Sequence, residues 1–239
     1  MKTERITLNK KRNVFLTTYI QETEEGAVRP ALLILPGGAY QICAPREGES
    51  VALAFMKYGF NSFVLNYSVD NGGLMPGNSK WPNPLEDYDQ AMELISSNAE
   101  SFGIDPSKIA VAGFSAGGHL ACAACTSALH RPAAAVIGYP VTGYDGRYGK
   151  DMFNTVASVS KNTSPCFVFA AADDPMVDVM NSIKFIEALS EKGVRFECHI
   201  YSHGPHAFSV CDPAIDLADH CPRIADWVED SAQWLYEVM

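Results

Sequence analysis

The sequence predicts one α/β domain with a mostly parallel, doubly wound sheet and an antiparallel N-terminal hairpin. Short apolar runs with the length of buried parallel strands alternate along the chain with segments of helical periodicity. The length of 239 residues suits one domain with a substantial core. We therefore expect residues 1–239 to form a single α/β domain.

The first half of the chain is predicted to supply the hairpin and the first parallel strands. Two runs joined by a basic turn indicate the hairpin, and a continuous apolar run indicates a strand that is covered on both faces. The predicted elements are strands over 5–9, 13–20, 30–35 and 60–67 and a helix over 49–57. The stretch 69–84 is rich in Gly, Asn and Pro and is predicted to be a long loop.

The second half is predicted to alternate helices with buried strands. Apolar residues recur at helical spacing after 84 and again near the C-terminus, and Gly193 is a typical residue to end a helix. The predicted strands cover 108–112, 133–137, 166–170 and 196–201, and the predicted helices cover 85–95, 116–125, 177–192 and 224–235. Between them, 138–164 is expected to be irregular, with a short helix near 152–158.

A Gly-x-Ser-x-Gly motif follows the predicted strand 108–112 directly and precedes a helix of small residues. Strand, tight turn and helix form the context of a nucleophile elbow. Gly113 and Gly117 would let the strand and the helix pass closely, while Ser115 would project its hydroxyl above the sheet. The N–H of Ala116, in the first turn of the helix, would be free to bind an oxyanion.

The groups that would activate this serine also occur at the ends of predicted strands. A serine hydroxyl needs a histidine base, and the histidine needs a carboxylate that orients it. Asp173 and Asp174 follow one strand, and His203 and His206 follow the next. The order serine, acid, histidine is that of an α/β-hydrolase.

From Leu35 to Phe208 the chain resembles the α/β-hydrolase fold. Within that fold it is similar to small esterases grouped with acetyl-xylan esterases and with feruloyl-esterase-like sugar-ester hydrolases. The residues that carry the resemblance are Pro36-Gly37-Gly38-Ala39-Tyr40, the run from Gly113 to Leu120, Asp174 with Val177, and Gly204-Pro205-His206-Ala207-Phe208.

The resemblance implies a serine mechanism without a metal or an organic cofactor. Its implied site consists of Ser115 as nucleophile, Asp174 as acid, His206 as base, and the N–H groups of Gly38 and Ala116 as the oxyanion hole. Ala39 stands where relatives usually have a third glycine. This departure leaves open whether Gly38 or Ala39 donates the second oxyanion N–H.

Other side chains near these motifs have alternative interpretations. The spacing to Val177 favours Asp174, so Asp173 is expected to be a turn or capping residue. His203 is an alternative base, whereas His119 is expected to be a packed structural residue. Tyr40 is predicted to line the substrate pocket or to pack beneath it, and Trp81 is a candidate wall for a sugar ring.

Charge and cysteine content bear on partners and location. The net charge is -10 and Lys and Arg are not clustered, so neither nucleic acid nor an anionic membrane is an expected partner. A polar N-terminus and the lack of a long apolar run favour a cytoplasmic protein. Seven scattered cysteines favour reduced thiols, and the Cys122–Cys125 pair lacks a second pair at zinc-site spacing. The sequence carries no signal for an oligomeric state.

The function expected from this site is that of a serine carboxylesterase acting on a small-molecule ester. We expect short acyl groups, acetyl above all, because 69–84 and 138–164 offer polar and aromatic rather than aliphatic walls. The alternatives are a serine peptidase of the prolyl-oligopeptidase type and a non-catalytic binding protein on the same fold.

Overall fold

The computed structural model describes residues 1–22, 27–149, 151–211 and 222–239. Lys150 in the predicted irregular segment, and Cys221, lie outside these residues. The described strands are β1 (Lys2–Asn9), β2 (Val14–Ile20), β3 (Arg29–Leu35), β4 (Asn61–Asn66), β5 (Ile104–Phe114), β6 (Ala135–Gly138), β7 (Cys166–Ala171) and β8 (Phe196–Tyr201).

These strands form one eight-stranded sheet in the order β1-β2-β4-β3-β5-β6-β7-β8. β2 pairs antiparallel with both β1 and β4, and every other neighbouring pair is parallel. The prediction of a mostly parallel sheet with an antiparallel N-terminal hairpin is therefore confirmed.

Helices cover both faces of the sheet. They are α1 (Glu49–Met56), α2 (Asn83–Ser97), α3 (Ala99–Phe102), α4 (Ala116–Ser127), α5 (Met180–Glu191) and α6 (Trp227–Val238). Successive residues of β3 point to opposite faces: Leu33 packs in a core with Tyr88 of α2, whereas Leu32 packs in a second core with Phe55 of α1. A strand buried on both faces must be apolar throughout, which is why its sequence is a continuous apolar run.

Three predicted helices differ from the structure. The last one, α6, begins at Trp227 instead of 224, and Pro222–Asp226 form a 3₁₀ helix. The segment 152–158 forms turns rather than the short helix expected. α5 begins at Met180 instead of 177, because the Asp178 side chain accepts the Met180 N–H at 2.9 Å and so favours a turn ahead of the helix. No helix in the described ranges combines the length and apolarity that a membrane span requires.

The sheet topology gathers the predicted site residues at one edge. β3, β5, β7 and β8 are parallel neighbours or near neighbours, so their carboxyl ends lie at the same edge. The loops that follow these strands carry the oxyanion-loop candidate, the serine, the aspartates and the histidines. Loops at this edge of an open α/β sheet are where ligands commonly bind.

Candidate active site

Ser115 lies in a tight turn between β5 and α4. Its φ of 53° and ψ of -114° are strained for a residue with a side chain. A Cβ on Gly113 would lie 2.3 Å from the Gly117 carbonyl oxygen, and one on Gly117 would lie 2.0 Å from the Leu35 carbonyl oxygen. The close passage of strand and helix thus requires glycine at both positions, as the motif predicted.

The structure brings Ser115, His206 and Asp174 into one hydrogen-bonded chain. His206 Nε2 lies 2.9 Å from the Ser115 hydroxyl oxygen, and His206 Nδ1 lies 2.7 Å from Asp174 Oδ2. The His206 and Asp174 side chains are 8% and 1% exposed, so water has little access to the pair. This arrangement can move a proton from the serine to the imidazole and stabilise the resulting imidazolium.

The geometry also separates the two neighbouring aspartates. Asp173 accepts the Gly204 N–H at 2.8 Å, which ties its loop to the histidine loop. Asp174 reaches the His206 ring. The alternative base, His203, is exposed, and its Nδ1 lies 3.0 Å from the Ser202 hydroxyl. Asp174 and His206 are therefore the pair that lines up with the serine.

Asp174 is held in its charged form. Burial alone would raise the pKa of this carboxyl, but the hydrogen bonds from His206 and from the N–H groups of Val177 and Met176 outweigh burial. The two backbone groups donate to Oδ1 at 3.0 and 2.8 Å, which leaves Oδ2 for the histidine. The net result is a pKa below the usual value for aspartate.

The loop after β3 presents free N–H groups beside the serine. Gly38 has a φ of 125°, and a Cβ there would lie 2.2 Å from the Ile42 carbonyl oxygen, so the turn requires glycine. Within the described residues, the N–H groups of Gly38, Ala39 and Ala116 donate no hydrogen bond. All three are free to bind an oxyanion.

A cluster of half-buried aromatic rings surrounds the buried His119, in the first turn of α4. Tyr40 lies with its hydroxyl 2.7 Å from His119 Nδ1, and His119 Nε2 lies 2.7 Å from the Phe153 carbonyl oxygen. Burial lowers the pKa of His119 to about 4, so the ring is neutral near pH 7, donates to Phe153 and accepts from Tyr40. His119 is thus the packed structural residue expected.

The two predicted substrate-binding residues belong to this cluster. Trp81 stacks on Phe153 with ring centroids 4.8 Å apart, and the Tyr40 hydroxyl is occupied by His119. Neither side chain lines the pocket that contains Ser115. For Tyr40 this position fits the second of the two alternatives, packing beneath the pocket, and a role of Trp81 as a wall for a sugar ring stays a prediction.

The pocket that contains Ser115 and His206 has a volume of about 710 Å³. Its walls come mainly from the segment between β3 and α1, together with Met176 and Ala207, rather than from 69–84 or 138–164. Most of the remaining lining is apolar, with polar atoms supplied by Arg46, Glu47, Glu49 and Ser50. A space of this size takes an acyl group and a considerable part of its alcohol.

Two buried residues of the site were not predicted from the sequence. The Glu47 carboxylate is 1% exposed and accepts the Gly37 N–H at 2.7 Å, while Tyr139 donates its hydroxyl to Glu47 at 2.7 Å. The Tyr139 ring packs edge-on against the His206 ring with centroids 5.2 Å apart. A lone glutamate before a helix has the same sequence signature as a solvated first-turn acid, so no pattern singled it out.

No group of three or more potential metal ligands lies together among the described residues. Cys122 and Cys125 are both fully buried within α4. Burial raises the pKa of the Cys122 thiol well above its usual value, which disfavours the thiolate that binds metal.

The sheet order, the strained serine turn and the hydrogen-bonded Ser–His–Asp chain together define an α/β hydrolase. The family model described as the dienelactone hydrolase family matches residues 79–238, and the chain belongs to this family. A second family model, described as BD-FAE, matches residues 16–134.

Two relatives of known name are a xylanase and an acetylxylan esterase. The chain is 32% identical to endo-1,4-beta-xylanase B of Butyrivibrio fibrisolvens, with 77% of this chain and 33% of that protein covered. It is 28% identical to an acetylxylan esterase of Xylanibacter ruminicola, with 81% of this chain and 43% of that protein covered. The chain thus spans less than half the length of these relatives.

Among solved structures, MGS-M1, an α/β hydrolase enzyme from a Medee basin deep-sea metagenome library, is 36% identical. Its TM-score is 0.90, and the match covers 100% of this chain and 98% of that one. These findings confirm the resemblance to the acetyl-xylan-esterase group of α/β hydrolases, and they support a carboxylesterase on this fold.

Proposed function

We propose that this protein is a serine carboxylesterase that removes short acyl groups, acetyl above all, from hydroxylated small molecules such as sugars. The observation that carries the proposal is the position of His206, 2.9 Å from the Ser115 hydroxyl and 2.7 Å from Asp174. A serine with this partner is an activated nucleophile, and a non-catalytic binding protein has no use for the arrangement.

The reaction follows from this geometry. Ser115 attacks the ester carbonyl carbon while His206 Nε2 takes the hydroxyl proton, and Asp174 stabilises the imidazolium that forms. The carbonyl oxygen becomes an oxyanion that accepts hydrogen bonds from the Ala116 N–H and from the N–H of Gly38 or Ala39. His206 then protonates the leaving alcohol oxygen, and an acyl-enzyme forms on Ser115.

Water completes the cycle by the same route. His206 takes a proton from a water molecule, which attacks the acyl carbonyl. The second tetrahedral intermediate then collapses as His206 returns this proton to the Ser115 oxygen, which releases the carboxylic acid and restores the free serine.

The acetyl preference and the sugar alcohol rest on two supports. One relative with 28% identity is named as an acetylxylan esterase. In addition, the pocket of about 710 Å³ combines apolar walls with Arg46, Glu49 and Ser50, so that hydroxyl groups can find hydrogen-bond partners. Each buried methylene contributes only about 0.8 kcal/mol, so a long acyl chain needs a long channel to be preferred.

The experiment is a hydrolysis panel that crosses acyl length with sugar and simple alcohol leaving groups. We expect acetate esters to show higher kcat/KM than octanoate esters of the same alcohol, and an acetylated sugar to be cleaved. A clear preference for octanoate or longer esters would contradict the short-acyl proposal. Hydrolysis of peptide substrates with no ester hydrolysis would instead support the peptidase alternative.

The role of Ser115 is tested separately by Ser115→Ala. This variant should fold normally and lose kcat by several orders of magnitude, up to about 10⁶-fold. A fluorophosphonate should add its mass to the wild-type protein at Ser115 and not to the variant. A variant that retains a tenth of the wild-type rate would rule out covalent catalysis by this serine.

A further inference from the structure

The peptide group between Pro36 and Gly37 is held at both of its ends. Its carbonyl oxygen accepts the Tyr67 hydroxyl at 2.5 Å, and its N–H donates to Glu47 Oε2 at 2.7 Å. The next N–H along the chain is that of Gly38, which is free and faces the same pocket as Ser115. This N–H belongs to the next peptide group, whose own carbonyl oxygen, that of Gly37, accepts the Ala44 N–H at 2.9 Å. The clamped peptide and this hydrogen bond together fix the direction of the Gly38 N–H.

The same carboxylate reaches the histidine loop. Glu47 Oε1 accepts the Tyr139 hydroxyl at 2.7 Å, and the Tyr139 hydroxyl oxygen in turn accepts the Ser209 N–H at 3.2 Å. Tyr139 also packs its ring edge-on against His206. One carboxylate thus joins the loop that presents the oxyanion N–H groups to the loop that presents the base.

This carboxylate lies in an unfavourable place. Glu47 is 1% exposed, and its two hydrogen-bond donors, a peptide N–H and a phenol, are both neutral. Burial raises the pKa of Glu47, and the hydrogen bonds from Tyr139 and Gly37 together with the positive charge of Arg46 offset only part of that effect. A glutamate that only tethered a turn would be more stable at the surface, since burial of a carboxylate that forms no salt bridge costs free energy.

We propose that Glu47 is a positioning residue of the catalytic centre, which holds the oxyanion loop and the His206 loop in one fixed relation, with Tyr139 as its second arm. The inference rests on the proposed serine esterase function. Glu47 acts through Gly37 and Tyr139 and takes no part in the chemistry itself. Its contribution is greatest when the oxyanion forms, because hydrogen bonds to a developing charge depend steeply on position.

The variants separate the two arms of Glu47, which are its hydrogen bonds with the Gly37 N–H and with the Tyr139 hydroxyl. Tyr139→Phe removes the arm to the histidine loop and leaves the Gly37 contact intact. Glu47→Gln keeps an acceptor for the Gly37 N–H, and its amide can donate to the Tyr139 hydroxyl oxygen, so it is the conservative variant. Glu47→Ala removes both arms. Each variant is assayed for kcat and KM with an acetate ester and for inhibition by a boronic acid, whose serine adduct resembles the tetrahedral intermediate.

Tyr88→Phe is the matched control for the tyrosine. Tyr88 is fully buried and donates its hydroxyl to the backbone oxygen of His130 at 3.0 Å, on a helix outside the site. Glu187→Gln, on an exposed carboxylate that pairs with Lys184, controls for the loss of one negative charge. Urea unfolding of every variant reports stability.

We expect kcat to fall about 10²-fold in Tyr139→Phe and about 10³-fold in Glu47→Ala, the range known for loss of an oxyanion donor. KM should change less than about threefold, the boronic acid should weaken in parallel with kcat/KM, and Glu47→Gln should recover most of the rate. The two control variants should keep the wild-type kcat, even where Tyr88→Phe loses stability.

Two results would overturn the inference in different ways. If the wild type hydrolyses esters and is labelled at Ser115, but Tyr139→Phe and Glu47→Ala keep kcat within about threefold of Tyr88→Phe, then Glu47 is only structural. If the wild type neither hydrolyses esters nor reacts with a fluorophosphonate, the proposed function fails and this inference fails with it. Should Glu47→Ala not fold, the kcat of Tyr139→Phe relative to that of Tyr88→Phe still decides the question.

Discussion

Replacing Asp174 by asparagine is the perturbation whose effect follows most directly from the site. Oδ1 of Asp174 accepts two backbone N–H groups, so the asparagine oxygen is required at that position and the amide nitrogen must occupy the place of Oδ2. An N–H then faces His206 Nδ1, where the carboxylate oxygen lay 2.7 Å away. The imidazole of His206 must then accept a hydrogen bond at Nδ1 and carry its own proton on Nε2.

A proton on Nε2 prevents His206 from accepting the proton of Ser115. The corresponding change in a Ser-His-Asp protease lowers kcat about 10⁴-fold, which equals about 5.4 kcal/mol of transition-state free energy. We expect a loss of this size with little change in KM, because Asp174 is not among the residues that line the pocket. The assay is steady-state hydrolysis of an acetate ester between pH 6 and 9, with urea unfolding as a check on folding.

Asp173→Asn is the matched control one residue away. The asparagine oxygen can still accept the Gly204 N–H, so kcat should stay within about threefold of the wild type. If Asp173→Asn is the more damaging change, the acid has been assigned to the wrong aspartate. If both variants keep near-wild-type rates, the tautomer of His206 does not depend on a carboxylate and the reasoning fails.

Two further predictions concern stability. Gly117→Ala should lower the free energy of unfolding by about 3 kcal/mol, because its Cβ would lie 2.0 Å from the Leu35 carbonyl oxygen. Gly72→Ala, which meets no atom within 4 Å, should cost only about 1 kcal/mol for its φ of +61°, and equal losses in urea unfolding would refute the packing argument. Burial lowers the pKa of His119 from 6.5 to about 4. At pH values between these two, the unfolded chain binds more protons than the folded one, so the free energy of unfolding falls with decreasing pH. Between pH 7 and 5 the loss should be about 2 kcal/mol in the wild type and smaller in His119→Gln, and equal acid slopes would exclude His119 as the cause.

Most of the fold follows from the sequence because its determinants are local or periodic. Buried parallel strands must be apolar on both faces, and the runs at β3, β5 and β7 show this directly. The errors lie where a single side chain decides a boundary. Asp178 delays the start of α5, and 152–158 forms turns although its composition permits a helix.

The nucleophile elbow and the chain order of the catalytic candidates were also predictable from the sequence alone. Backbone contacts that any nucleophile elbow must make require glycine at 113 and 117. The Gly-x-Ser-x-Gly motif contains both glycines and therefore predicts these contacts. A serine, an acid and a histidine at the ends of parallel strands necessarily meet at one edge of the sheet. The sequence alone therefore predicted that Ser115 lies close to the histidine loop after β8.

Only the tertiary structure decided between adjacent side chains and revealed the supports of the site. Asp173 and Asp174 are chemically identical, and the direction of the loop alone sends one to Gly204 and the other to His206. Glu47 lies near Tyr139 only because the chain folds back across the sheet, over a separation of 92 residues. Such contacts depend on where loop backbones turn, and neither periodicity nor residue type encodes that direction.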